Sequence, residues 1–192
     1  MNNLSKLSLG ALVALPLLAL AAGGALKSGL QTGEMVSAFE PSHVTGPDAG
    51  TKTCPVCKYG KTPAVQVWVN GDKPENVSKI ADTLEAAIKM EGSDKLKGFI
   101  IFIKPKSMSD EAIQGQLKMV ADKCHLSNVA LAYVDGPKSE FVGQYKINTA
   151  SDVKNTVIVY HDMKVNANFV NLKGDEKGIK SLKGAMMQAC GM

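Results

Sequence analysis

The sequence predicts an α/β fold, a three-layer α/β/α sandwich around a mixed central sheet. Two observations lead to it. Apolar runs at 64–69, 98–104 and 128–136 are separated by segments with helical apolar spacing at 74–90 and 107–124. Two further runs, 155–161 and 164–172, are joined only by Asp162 and Met163, and a last helical segment follows at 176–191. A strand–helix–strand crossover forces parallel pairing, and so short a link forces antiparallel pairing, so one sheet holds both.

Each element has its own reason. Val65, Val67 and Val69 alternate with Gln66 and Trp68, and Asn70-Gly71 ends that strand. Val77, Ile80, Ala81, Leu84 and Ile88 then recur on one helical face behind Pro74. The run GFIIFIK is nearly continuous, as in a central strand covered on both faces. The second helix gathers Ile113, Leu117, Val120, Ala121 and Cys124, and Asp110 and Glu111 at its start complement the helix dipole. NVALAYVDG is a strand with a Gly-Pro stop, and a short helix is expected around EFVGQYKI. The hairpin and a helix presenting Ile179, Leu182, Met186 and Cys190 complete the domain.

Residues 1–21 carry the pattern of an export signal. Lys6 supplies the positive start, Leu9 to Leu20 an apolar core short for a bilayer span, and Ala19-Leu20-Ala21 a small-residue cleavage site. Removing them takes away Lys6 and lowers the formal charge from +4 to +3. The expected product is periplasmic or secreted, with no stable membrane insertion. It divides into a lead-in at 22–63 and a core at 64–192 that form one domain. All 22 basic residues are lysine, scattered among acids. Without arginine forks, and with few aromatics, nucleic-acid binding is set aside.

Four cysteines in an exported chain form an even set in an oxidising compartment, open to three connectivities. Cys54 and Cys57 stand in TCPVCKYG, with Lys52, Lys58 and Lys61 around them and no acid between Thr51 and Gly71. A Cys-x-x-Cys ring is reducible, and nearby cations favour the attacking thiolate. The same pair could be an oxidised turn clip, because the sequence shows no strand before it and no helix start beside it. A third reading is half a zinc knuckle, with Cys124, His125, Cys190, His43 and His161 dispersed as single further ligand candidates. Cys124 and Cys190, on apolar helix faces, are either buried core thiols or a structural disulfide. His125 is read as a helix-end cap, Trp68 as sheet packing, and the Met186-Met187 pair as core rather than a copper site.

Two further stretches stand out, TGEMVSAFEPSHVTGP in the lead-in and NTVIVYHDMKVNANFVN across the hairpin. Through them the chain resembles the redoxin, or peroxiredoxin-like, branch of the thioredoxin-like superfamily, the first being similar to that branch's lead-in, with Ser37 where proline is usual, and the second to its closing hairpin. CPVCKYGKTPAV is close to a stretch in exported bacterial redoxin-like proteins. The resemblance implies a catalytic group between the strand at 64–69 and the next helix. Yet VNGDKPENV holds neither a cysteine pair nor a Thr-x-x-Cys, and Asn155-Thr156 stands where a cis-proline is usual. The expected activity is therefore thiol-disulfide exchange at the displaced pair, without a cofactor, on protein thiols or disulfides. Cys54 is expected to attack and Cys57 to resolve. A redox-inactive binding protein is the other reading.

Overall fold

The computed structural model describes residues 26–191, so the export segment lies outside the described residues. Six strands form one sheet: β1 (Ser42–His43), β2 (Ala64–Val69), β3 (Lys97–Ile103), β4 (Val129–Val134), β5 (Asn155–His161) and β6 (Lys164–Val170). Their spatial order is β1-β4-β3-β2-β5-β6. β2, β3 and β4 run parallel, while β1, β5 and β6 pair antiparallel to their neighbours. The mixed sheet expected from the sequence is therefore present, with the crossovers and the hairpin where the apolar pattern put them.

Three long helices, α2 (Pro74–Glu91), α3 (Asp110–Lys123) and α5 (Glu176–Ala189), cover one face. They bury Ile80, Leu84, Leu117 and Leu182 against Val65, Val67, Ile100 and Leu131. The other face is covered more thinly, by the lead-in and two short helices, α1 (Pro55–Tyr59) and α4 (Glu140–Gln144). Leu30, Val36 and Phe39 from the lead-in pack there with Val56, Trp68 and Tyr145. Gln66, polar in an apolar strand, is fully buried because Trp68 Nε1 donates to its Oε1 at 3.2 Å and its Nε2 donates to the Tyr145 hydroxyl at 3.4 Å. A buried amide tolerates that site only with such partners.

Local chemistry fixes the joints. The β5–β6 link places Asp162 at φ 51° and Met163 at φ 62°, the left-handed pair a two-residue hairpin needs for its twist. At the end of α3 the chain closes a Schellman motif. The Leu126 N–H reaches the Ala121 carbonyl at 3.0 Å and the His125 N–H reaches that of Asp122 at 3.2 Å. His125 occupies the left-handed position, φ 48°, where glycine is usual. Its exposed side chain packs on little, so His125→Gly is expected to stabilise the fold by about 1 kcal/mol in denaturant melts. No gain would mean that the imidazole caps the helix end strongly enough to offset the backbone strain.

Glu85, on α2, fastens the start of β4. Its carboxylate accepts the Asn128 N–H at 2.9 Å, the Val129 N–H at 3.0 Å and the Asn128 side-chain amide at 2.8 Å. Burial pushes its pKa up, but these bonds outweigh burial and hold it below the usual carboxylate value. A carboxylate whose folded pKa is depressed stabilises fully above its unfolded value, and that stability is lost as pH falls through the folded pKa. Glu85→Ala is therefore expected to cost about 2 kcal/mol at neutral pH. The difference from the parent should shrink in melts run at increasingly acid pH. A gap independent of pH would assign the loss to packing.

Candidate functional site

The cysteine pair sits on a helix that the sequence did not announce. Pro55 occupies the first turn of α1, where a missing N–H costs nothing. Cys54 is the N-cap, its sulfur accepting the Cys57 N–H at 3.0 Å. Gly60 ends the helix at φ 55° with its N–H on the Val56 carbonyl at 2.9 Å. A five-residue helix is too short for a periodicity to register in the sequence, and a cysteine N-cap is no usual start signal. The expectation of a pair without a neighbouring helix start is thus corrected.

Cys54 and Cys57 form a disulfide across a Cα–Cα distance of 5.3 Å. Their exposures run against the roles expected of them, in which Cys54 attacks and Cys57 resolves. Cys57 faces solvent, whereas Cys54 is half-buried and packs against the cluster of the thinly covered face. The cause is helical: Val56 turns into the core beside Cys54, and Cys57, one residue on, turns out. Tyr59 anchors the far end, its ring 5.6 Å from that of Phe99, with Lys97 Nζ 4.4 Å above it. Burial lowers the pKa of Lys97. Among the lysines around the pair, Lys58 is engaged by Asp48 at 2.6 Å, an acid brought in from the loop before Thr51.

The segment entering the pair is also held. The His43 N–H donates to the Thr51 carbonyl at 2.9 Å, and His43 Nε2 lies 2.8 Å from the Thr53 carbonyl. His43 is buried, with 4 % of its surface exposed. It faces the same side of the sheet as α1, because it pairs with Ala132, whose neighbours Ala130 and Val134 face that side.

The place where the resemblance puts a catalytic group is the opposite pole of the sheet. α1 abuts the beginning of β2 and β3, with Lys97 N–H on the Pro63 carbonyl at 3.0 Å. The cleft at the β2–α2 loop, bounded by the first turns of α2, the start of β5 and the segment before α5, lies beyond the end of β2, roughly 20 Å away along the strand. Its volume is about 560 Å³, and Asp72, Asn76, Asn155 and Leu172 are on its wall. These residues bond one another. Asn155 donates to Asp72 Oδ2 at 2.6 Å and to the Leu172 carbonyl at 3.0 Å, and it accepts the Leu172 N–H at 2.9 Å. Asn76 reaches the same carboxylate oxygen at 2.7 Å and the same carbonyl at 2.9 Å. The latch carries no thiol, and the cysteine segment does not fold over it.

The remaining candidates stay apart. Cys124 and Cys190 are free, partly buried thiols, which corrects the disulfide considered for them. Both belong to the three-helix face, but α3 packs on β4 and α5 on β5, and β3 and β2 separate those strands. Burial, and next the Glu91 charge, raise the pKa of Cys190. His161 stands at the end of β5 beside the Asp162 carboxylate, 3.8 Å away. Trp68 stacks in the core, its ring 5.1 Å from Tyr145 and 5.5 Å from Phe39. Among the described residues no group of three or more His, Cys, Asp or Glu side chains is placed to hold a metal ion.

No family model and no curated protein matches the chain. Solved structures do. A Chlorobium tepidum protein described as a thiol:disulfide interchange protein DsbE aligns with a TM-score of 0.62 at 10% identity, over 84% of this chain and 99% of that one. A Bacteroides thetaiotaomicron protein described as a protein disulfide isomerase aligns at 0.62 and 11% identity, over 87% and 96%. Peroxidoxin BcpB of Mycobacterium tuberculosis aligns at 0.58 and 16%, over 81% and 97%. The fold is thioredoxin-like. At these identities the likeness establishes architecture alone, so any chemistry has to come from the residues of this thioredoxin-like chain. Those residues put its cysteine pair at the pole opposite the β2–α2 cleft.

Proposed function

We propose that the protein is an exported thiol-disulfide exchange protein that acts on protein thiols or disulfides through Cys54 and Cys57. One observation carries the reading: the disulfide joins an exposed residue, Cys57, to a half-buried one, Cys54, whose sulfur already accepts a backbone N–H. An incoming thiolate attacks Cys57 Sγ, the S–S bond breaks, and Cys54 leaves as a thiolate. The Cys57 N–H stabilises that leaving group, since hydrogen bonds to an ionised acceptor are stronger than those to a neutral one. A second substrate thiolate then attacks the substrate sulfur of the mixed disulfide, forming the product disulfide and expelling Cys57 as a thiolate, so both cysteines end reduced. The roles expected from the sequence are thereby exchanged, with Cys57 meeting the partner and Cys54 resolving. Accessibility governs which sulfur is attacked.

The rigid mount supports the same reading. Val56 and Tyr59 fix α1 on the sheet, so the exposed sulfur is presented from a firm base. The reduction potential of the pair, measured by equilibration with a glutathione buffer, tests it. A value above about −230 mV belongs to exchange-competent pairs, and one below roughly −300 mV would make the disulfide a structural clip.

A further inference from the structure

We infer that His43 is the proton carrier for Cys54, a role it has only if the pair exchanges disulfides as proposed above. Among the described residues, His43 Nδ1 is the one buried side-chain polar atom without a hydrogen-bond partner. Buried polar groups are nearly always paired, and an orphan at a reactive centre calls for a functional explanation. The other ring nitrogen settles the tautomer. Nε2 contacts the Thr53 carbonyl at 2.8 Å, and a carbonyl can only accept, so Nε2 carries the hydrogen in the neutral ring. Nδ1 is therefore a bare lone pair held in the protein interior.

Its location fits the task. The Thr53 carbonyl belongs to the peptide unit that leads directly into Cys54, so the imidazole is tied one peptide from the half-buried sulfur and on the same side of the sheet. In the disulfide state Cys54 has no proton to give, and Nδ1 has no donor. Reduction creates the S–H that the lone pair lacks. In the reducing direction Cys57, having lost its proton to solvent, attacks a substrate disulfide, and the first substrate sulfur leaves and takes up a proton from solvent. Nδ1 then takes the Cys54 proton, Cys54 Sγ attacks Cys57 Sγ, and the second substrate sulfur departs with the proton returned by the imidazolium. The pair loses two electrons and the substrate disulfide gains them together with two protons. In the oxidising direction each step runs backwards.

The neighbouring charges do not supply this carrier. A cleft of about 580 Å³ borders His43, and the titratable groups on its wall are Lys52, Asp110, Lys118, Tyr133 and Asp135. Tyr133 lies on the opposite side of β4 from Ala132, and Lys58 is paired with Asp48. None of these is tied to the Cys54 peptide as His43 is.

His43→Gln separates the base from the tether, because a glutamine amide can still donate to the Thr53 carbonyl but has no basic nitrogen. In the reduced Cys57→Ser background, alkylation of Cys54 by iodoacetamide, mapped by peptide mass across pH, reads its thiolate fraction. With His43→Gln the midpoint should rise by about one pH unit, a tenfold slower reaction on the acid side. An unchanged midpoint overturns the role of His43. If His43→Gln does not fold, the parent serves: long-range ¹⁵N–¹H spectra should show the His43 Nδ1 signal shifting on reduction of the disulfide, and a Nδ1 signal identical in both states overturns the inference. A parent that neither reduces a protein disulfide nor oxidises a protein dithiol at any pH sinks the exchange reading and the carrier role together. An active parent with an unchanged His43→Gln profile sinks the carrier role alone.

Discussion

Cys57→Ser will abolish disulfide exchange, lowering turnover of a protein disulfide substrate by roughly a thousandfold or more, the scale at which loss of a nucleophile is felt. Cys57 is the exposed residue of the pair and Cys54 the half-buried one, so Cys54 is not expected to replace it as the point of attack. Cys54→Ser will behave differently. It keeps the exposed thiol but cannot resolve, so it should accumulate a mixed disulfide with substrate, visible as an adduct on a non-reducing gel. Folding cannot account for either result. The bond closes a loop of only a few residues, and chain entropy sets its contribution at about 2 kcal/mol. Adduct formation in Cys57→Ser and not in Cys54→Ser would restore the roles expected from the sequence. Full activity in both would remove the pair from the chemistry.

The architecture was legible because its signals repeat. Val77 to Ile88 and Ile113 to Ala121 keep helical spacing over several turns, and Asp162-Met163 leaves room for nothing but a hairpin. β1 was not legible. Two residues beside a larger strand owe their conformation to the Ser42–Tyr133 and His43–Ala132 pairings, and no local pattern encodes such a partner. The candidate site divides the same way. Spacing gave the Cys54–Cys57 pair, but exposure depends on how α1 docks, and that is set by Val56 and Tyr59 meeting the sheet. His43 lay in plain view as a single histidine in a loop-rich stretch. Its bond to the Thr53 carbonyl spans ten residues and follows from the turn at Gly50, where φ is 80°. The latch at the other pole could not be read either, since Asp72, Asn76, Asn155 and Leu172 come from three distant stretches of chain. What was visible in advance was the absence of cysteine there and Asn155-Thr156 in place of the usual cis-proline.

That latch gives the largest stability effect expected. Asn155→Ala should cost about 3 kcal/mol, the loss of several buried hydrogen bonds whose partners are left unsatisfied. Asn155 is 1 % exposed and bridges three elements, joining Asp72 ahead of α2 and Leu172 ahead of α5 to the start of β5. Its alanine variant strands the Leu172 N–H in the interior and takes one donor from the Asp72 carboxylate. The other donors, Asn76 and the Lys73 N–H at 2.8 Å, remain. For a domain of this size, that loss lowers the melting temperature by roughly 6–12 °C. The reduction potential of Cys54–Cys57 in Asn155→Ala should stay that of the parent, because a sheet's length lies between the latch and α1. A thermal shift with an unchanged potential would establish that the β2–α2 cleft has become a structural joint while the chemistry sits at the other pole. A changed potential would mean that the two poles are coupled through the sheet.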